Sequence, residues 1–211
     1  MIDKKLFEHM RAEIDLFDQS REKLIKISRD VLKLSKGAIY SLHRNDQKAA
    51  QKQLKDAKAI IDQMNALVRQ DPHLAMVGAY EEALEEFVEA SCYFEFTTKN
   101  RLPSPKELNV DTDVYLPGLC DLVGELVRKA INSVIKDDTK TALRIKDVVE
   151  ELYAELMLFD FRNSPLRKKF DAIKLLAPYT EEFELKHGAE IKRIVNYMKE
   201  RIIESEYFPK I

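Results

Sequence analysis

Glycine and cysteine are scarce in this chain and proline is sparing: 5 Gly, 2 Cys and 7 Pro in 211 residues. So few helix breakers, set against 45% hydrophobic and 34% charged residues, point to a soluble protein built mostly of helix. The two cysteines, Cys92 and Cys120, show no CxxC or zinc spacing and lie inside helical patterns. They read as buried, reduced thiols, which suits a cytoplasmic setting. No apolar run approaches the length of a membrane span, so no membrane partner is expected. The opening MIDKKLFEHM is charged and has no apolar core, so no signal peptide is expected either. Excess charge of one sign is also missing. At a net charge of −2 no global basic field draws in nucleic acid, and any such contact must be a local patch. A Gly-rich phosphate loop and a GxSxG elbow are absent, which leaves no sign of an NTP or dinucleotide site.

What is present is helical periodicity. In Tyr115–Val134 (YLPGLCDLVGELVRKAINSV), Leu116, Leu119, Val123, Leu126, Val127, Ala130 and Val134 recur at spacings of three and four. Asp121, Glu125, Arg128 and Asn132 form a stripe on the far side. Residues from about Ile2 to Asn45 read as one very long helix, with Leu6, Met10, Ile14, Phe17, Leu24, Ile27, Val31, Leu34, Ala38 and Leu42 as its apolar rhythm. A helix of that length suggests a coiled coil or a bundle reaching toward a partner. Its polar face carries Lys26, Arg29, Lys33 and Lys36, a solvated ridge or one that faces nucleic acid.

A second helix is expected from about Asp46, as N-cap, to Gln70, ended by Asp71-Pro72. A third runs from about His73 to Asn100. In it Val77, Leu84, Phe87, Val88, Ser91 and Phe94 are read as inward, and Glu82, Glu86, Glu89 and Tyr93 as the opposite stripe. Leu102–Val114 reads as a loop. Further helices are expected over Thr139–Phe159, from Pro165 to about Pro178, and over Ala189–Glu204. There is no strand pattern and no internal repeat. The expectation is an all-α protein, a single-domain bundle of about seven helices across residues 1–211.

Two carboxylate pairs stand out. Glu86 and Glu89 are one helical turn apart, and so are Asp121 and Glu125. One reading is the wet face of two amphipathic helices. The other is a hard-oxygen set for Mg²⁺ or Mn²⁺, if the two helices pack side by side. Only one ExxH occurs, Glu184 to His187, too few for the paired set of a ferritin-like di-metal protein.

The chain resembles the translin and translin-associated factor X family. Four blocks carry the resemblance, in family order: REKLIKISRDVLKLSKGAIYSLHR (Arg21–Arg44), EEFVEASCYFEF (Glu85–Phe96), YLPGLCDLVGELVRKAINSV (Tyr115–Val134) and NSPLRKKFDAIK (Asn163–Lys174). The resemblance implies a translin-like fold and an endoribonuclease. In the factor X branch, acids of the second and third blocks bind Mg²⁺ and cut single-stranded RNA. The translin branch lacks them and serves as a scaffold and RNA binder. Here Glu86 and Glu89 occupy the ExxE positions, and Asp121 and Glu125 the DLxGE positions.

On that footing the four acids are the expected catalytic and metal-binding residues, with Mg²⁺ (or Mn²⁺) as cofactor. Lys99, Arg101 and Arg128 are candidates for holding RNA phosphate, with an ordinary surface charge or salt bridge as the equal alternative for each. Tyr93 and Tyr115 are candidates for stacking on a base, though burial in a helix core is the commoner place for such aromatics, and His43 is read as a packing or hydrogen-bonding residue. The family also implies a homo-oligomer, an octamer, and the apolar tail Ile202–Ile211 is read as one of its contacts. A basic N-terminal extension and a long insertion at 102–114 are both missing, which leaves no case for nuclear targeting. Factor X acids beside a translin-like tail suggest an undivided type that assembles with itself. The competing expectation is a non-catalytic, translin-like RNA or single-stranded DNA binder.

Overall fold

The computed structural model describes residues 2–176. The helix expected at Ala189–Glu204 and the tail Ile202–Ile211 lie outside them. Among the described residues there are seven α-helices and no strand: α1 (Lys4–His43), α2 (Gln47–Gln70), α3 (Gly78–Lys99), α4 (Pro105–Leu108), α5 (Thr112–Ile135), α6 (Thr139–Met157) and α7 (Pro165–Leu176). A short 3-10 turn, Pro72–Met76, lies between α2 and α3. The protein is all-α, as its periodicity indicates. Its residues gather into two compact units, Met1–Leu122 and Val123–Ile211, and the boundary falls inside α5.

Local chemistry sets the helix starts. Asp3, Asp46 and Asp138 each accept a hydrogen bond from the backbone of the first turn they precede, at 3.0 Å to Lys5, Ala49 and Thr141 respectively. Asp71 caps the 3-10 turn through the His73 N–H, with Pro72 behind it. The α1–α2 turn closes on Asn45 at φ 62°, a left-handed position that asparagine tolerates. The stretch Leu102–Val114 is not all loop. Ser104 and Glu107 form a reciprocal capping box that starts the one-turn α4, and α5 begins at Thr112 rather than Tyr115.

In the first unit α1, α2 and α3 pack against one another. The buried stripe of α1 is Leu24, Ser28, Val31, Ser35, Ala38 and Leu42, a 4-3-4-3-4 rhythm. Two of the expected apolar positions are displaced: Ile27 and Leu34 are half-buried, and the small Ser28 and Ser35 take the contact line instead. Small residues there let α2 come close, and Ser41 donates to Gln53 Oε1 at 3.0 Å. The N-terminal members of the expected core, Leu6, Met10 and Ile14, are exposed. The reason is length. At 1.5 Å per residue the 40 residues of α1 span about 60 Å, against about 36 Å for the 24 of α2.

Helix α3 also departs from expectation. Every residue from Phe87 to Tyr93 is buried, and Phe94, expected inward, is only half-buried. Half of the opposite stripe is therefore inside: Glu89 retains 8% exposure and Tyr93 none, while Glu86 is half-buried and Glu82 exposed.

In the second unit α6 and α7 pack around stacked rings. Phe170 meets Tyr153 at 5.7 Å and Phe161 at 5.3 Å between centroids, and Phe159 stacks on Phe161.

Candidate functional site

The feature that positions the acids is a helix crossing. At Gly118 on α5, an added Cβ would lie 2.7 Å from Val88 Cβ and 2.9 Å from the Glu85 carbonyl oxygen of α3. Only a hydrogen fits there. Val88 lies between Glu86 and Glu89, and Asp121 is one turn beyond Gly118. One turn before Gly118 the Tyr115 hydroxyl donates to the carbonyl of Pro103, in the stretch between α3 and α4, at 2.7 Å.

Burial at this crossing raises the proton affinity of Glu86. The Asp121 and Glu82 charges raise it further, while the Lys36 ammonium opposes them. Glu86 and Asp121, from two helices, thus sense each other's charge. Glu86 is 17% exposed, and Lys36 of α1 reaches it with Nζ 3.7 Å from Oε2. Glu89 is on the same helix, one turn on, and buried. Glu125 is one turn beyond Asp121 on α5 but falls in the second unit, where it pairs with Arg128 at 3.6 Å.

The donors suit a hard divalent cation: carboxylate oxygens of low exposure, with a repulsion that a cation relieves. Their positions are less gathered than a ligand shell. Among the described residues no three His, Cys, Asp or Glu side chains stand together closely enough to hold a metal ion.

Each cation nominated for RNA phosphate holds a carboxylate. Lys99 lies 2.7 Å from Glu95. Arg101 bridges Glu95 and Glu107, both at 2.8 Å. Arg128 holds Glu125. Glu107 is pulled down to about 2 by the Ser104 backbone N–H, the Arg101 side chain and the Ser104 hydroxyl. Tyr93 is buried with its hydroxyl 3.3 Å from His43 Nδ1, so His43 has a packing and hydrogen-bonding role. Tyr115 is buried as well, leaving neither tyrosine an open face for a base. Burial pushes the Cys92 thiol up to about 12, and Cys120 is also buried.

Two residues of this crossing escape the sequence reading. Gly118 sits in plain view one turn before Asp121. Lys36 reads as one more member of the basic ridge of α1, because nothing in its spacing ties it to α3.

The Translin family model matches residues 19–175. The chain belongs to the translin family. An uncharacterized protein of Methanocaldococcus jannaschii is 31% identical over 158 residues, which is 73% of this chain and 70% of that one. Chicken translin is 36% identical over 74 residues, 35% of this chain and about a third (32%) of its own length. Mouse translin-associated protein X is 26% identical across 70% of this chain and 64% of its own length. Among solved structures, apo-NeC3PO superposes with a TM-score of 0.77 at 30% identity, covering 87% of this translin-family chain and 96% of its own. A complex of AfC3PO with duplex RNA superposes equally well, TM-score 0.77 at 27% identity, over 88% of this chain and 96% of that one.

Proposed function

We propose that this translin-family protein is a divalent-metal-dependent endoribonuclease that acts on single-stranded RNA as a closed homo-oligomer. The observation that carries the reading is the helix crossing at Gly118, where α5 touches α3 between the ExxE acids and Asp121 is one turn on. Acids that sense each other's charge and have little access to water are poor surface decoration. Glu86, Glu89, Asp121 and Glu125 would hold the ion, Mg²⁺ or Mn²⁺. Once bound, it would polarise a phosphate and lower the pKa of a water. The chain's own part is to hold α3 against α5 at the Gly118 crossing, with the Lys36 ammonium offsetting part of the burial that favours protonated Glu86. Lys99, Arg101 and Arg128 would exchange a carboxylate partner for RNA phosphate.

Similarity to AfC3PO, described in complex with duplex RNA, supports RNA as the ligand class. The RNA in that complex is a duplex, so the preference for single strands is tested directly. The experiment is cleavage of labelled single-stranded and duplex RNA by purified protein in Mg²⁺, with EDTA as control. Faster loss of the single strand is expected, abolished by EDTA. Glu89→Gln and Asp121→Asn should each lower the rate by at least about 100-fold, with circular dichroism unchanged. Cutting at the wild-type rate by both variants would remove the assigned site. RNA binding without any cleavage favours the second reading, a non-catalytic binder, which the ungathered carboxylates support.

A further inference from the structure

The elbow that joins α6 to α7, residues 158–164, lies wholly in the second unit and carries a line of rings outward. Phe170 is the inner end of the line, at 7% exposure. Phe161, half-buried, leans on it at 5.3 Å between centroids and 52° between planes. Phe159 is the outer end. It stacks on Phe161 at 5.5 Å with the planes only 6° apart, yet it stays 48% exposed. One face of its ring is covered by Phe161, so the exposure belongs to the other face and the edge. A ring fixed in a parallel stack with its outer face open gives one more flat group a place in that stack.

The surroundings say which kind of flat group fits. Arg162 and Lys168 are exposed, and unlike Lys99, Arg101 and Arg128 neither pairs with a carboxylate among the described residues. Arg167 holds Asp171 and lies over the Phe170 ring at 5.9 Å. Over residues 158–171 four cations (Arg162, Arg167, Lys168, Lys169) meet two carboxylates (Asp160, Asp171), a local charge of +2 in a chain of −2. This is the local basic patch without which a chain of that net charge has no hold on a polyanion. An open aromatic face beside fixed positive charge matches an unpaired base and the phosphate attached to it.

We propose that Phe159, at the α6–α7 elbow, is a stacking platform for an unpaired base of single-stranded RNA. The proposal rests on the reading of RNA as the ligand class, and it is independent of whether the carboxylates cut. Stacking tolerates any sequence, because every base has a flat face. A duplex keeps its bases stacked on one another and offers the ring only its ends. The platform therefore favours single strands by geometry.

The test is fluorescence anisotropy of the full chain with a short labelled oligouridylate, in EDTA so that nothing is cut, and with the same strand annealed to oligoadenylate. Phe159→Ala is expected to bind the single strand about tenfold more weakly. Any duplex binding should stay within about twofold of wild type. Leu158→Ala trims the adjacent apolar side chain, which is 79% exposed but has no ring, and should stay within about twofold on both RNAs. The chain has no tryptophan, so Phe159→Trp places a single indole at the platform. The single strand should quench its emission to saturation. Weakening confined to the single strand, together with that quenching, supports the platform. Equal weakening on both RNAs, equal weakening by Leu158→Ala, or no quenching in Phe159→Trp overturns it. A fall in assembly mass in Phe159→Ala, by light scattering, also overturns it and gives the ring to a contact between copies. If Phe159→Ala loses its helical circular dichroism, the quenching in Phe159→Trp decides alone. Wild-type binding to neither RNA overturns the RNA reading as well. Wild-type binding of the single strand that Phe159→Ala leaves unmoved overturns this inference alone.

Discussion

At the scale of single residues, Gly118 and Glu86 carry opposite expectations for stability. Gly118→Ala adds one carbon where 2.7 Å separates it from Val88 and 2.9 Å from backbone oxygen. A side chain can rotate away, but the Glu85 carbonyl moves only with its helix. The expected cost is roughly 1–3 kcal/mol in urea unfolding, the range for overpacking a filled contact. An unchanged midpoint would show that the helices stand further apart than described.

Glu86→Gln should do the reverse. Burial, Asp121 and Glu82 raise the proton affinity of Glu86 above its ordinary value despite Lys36. A carboxyl whose folded pKa lies above its unfolded value favours the fold when protonated, and that contribution is lost as pH rises through the folded pKa. At pH 8 the wild type bears the penalty of an ionised Glu86 and the amide does not. The variant should therefore be the more stable of the two at pH 8. The gap should close as pH falls below the ordinary carboxylate range. Thermal unfolding at pH 8 and pH 4 reads the sign, and a variant less stable at pH 8 would contradict the account of Glu86.

At the scale of elements, the chain is legible wherever local chemistry acts alone. Asp46 as N-cap, the break at Asp71-Pro72 and the long uninterrupted α1 follow from residue type and spacing, and the structure has all three. Reading fails where packing reverses the meaning of a residue. Ser28 and Ser35 look polar and sit on the α1 contact line, because a close helix neighbour favours small side chains over branched ones. Helix α3 looks two-faced but is buried almost throughout its middle, since α1, α2 and the start of α5 leave it no wet side. For the same reason Glu89, placed by its spacing on the stripe opposite the apolar one, is a buried acid in the fold. The two carboxylate pairs are visible as patterns. The glycine that brings Glu86 and Asp121 within range, and the lysine that answers them, depend on a contact between distant segments that no periodicity reports.

At the scale of the whole molecule, the first half of α1 is the unfinished part. Leu6, Phe7, Met10, Ile14 and Leu16 are exposed, with Ile14 and Leu16 above 60%. Met10, Ile14 and Phe17 continue, at spacings of four and three, the stripe that Leu24 to Leu42 buries against α2 and α3. An apolar stripe that runs past its own bundle is an invitation to another chain, and closed symmetry covers such faces without making filaments. A second copy brings the identical stripe, so two α1 extensions can cover each other in the manner of a coiled coil. We therefore expect the wild type to have a mass several times the 24.6 kDa of one chain, eight times for the octamer, by light scattering coupled to size exclusion. The double variant Met10→Lys, Ile14→Lys should fall to a smaller species. Loss of contacts from two apolar side chains costs roughly 3–6 kcal/mol per interface copy, enough to shift the dissociation constant by a factor of about a hundred or more. Circular dichroism at matched concentration should then show fraying confined to one long helix, while the core around Leu24 to Leu42 keeps its unfolding midpoint. A wild type that elutes as a single chain, or a double variant of undiminished mass, would leave the α1 stripe without the role assigned to it.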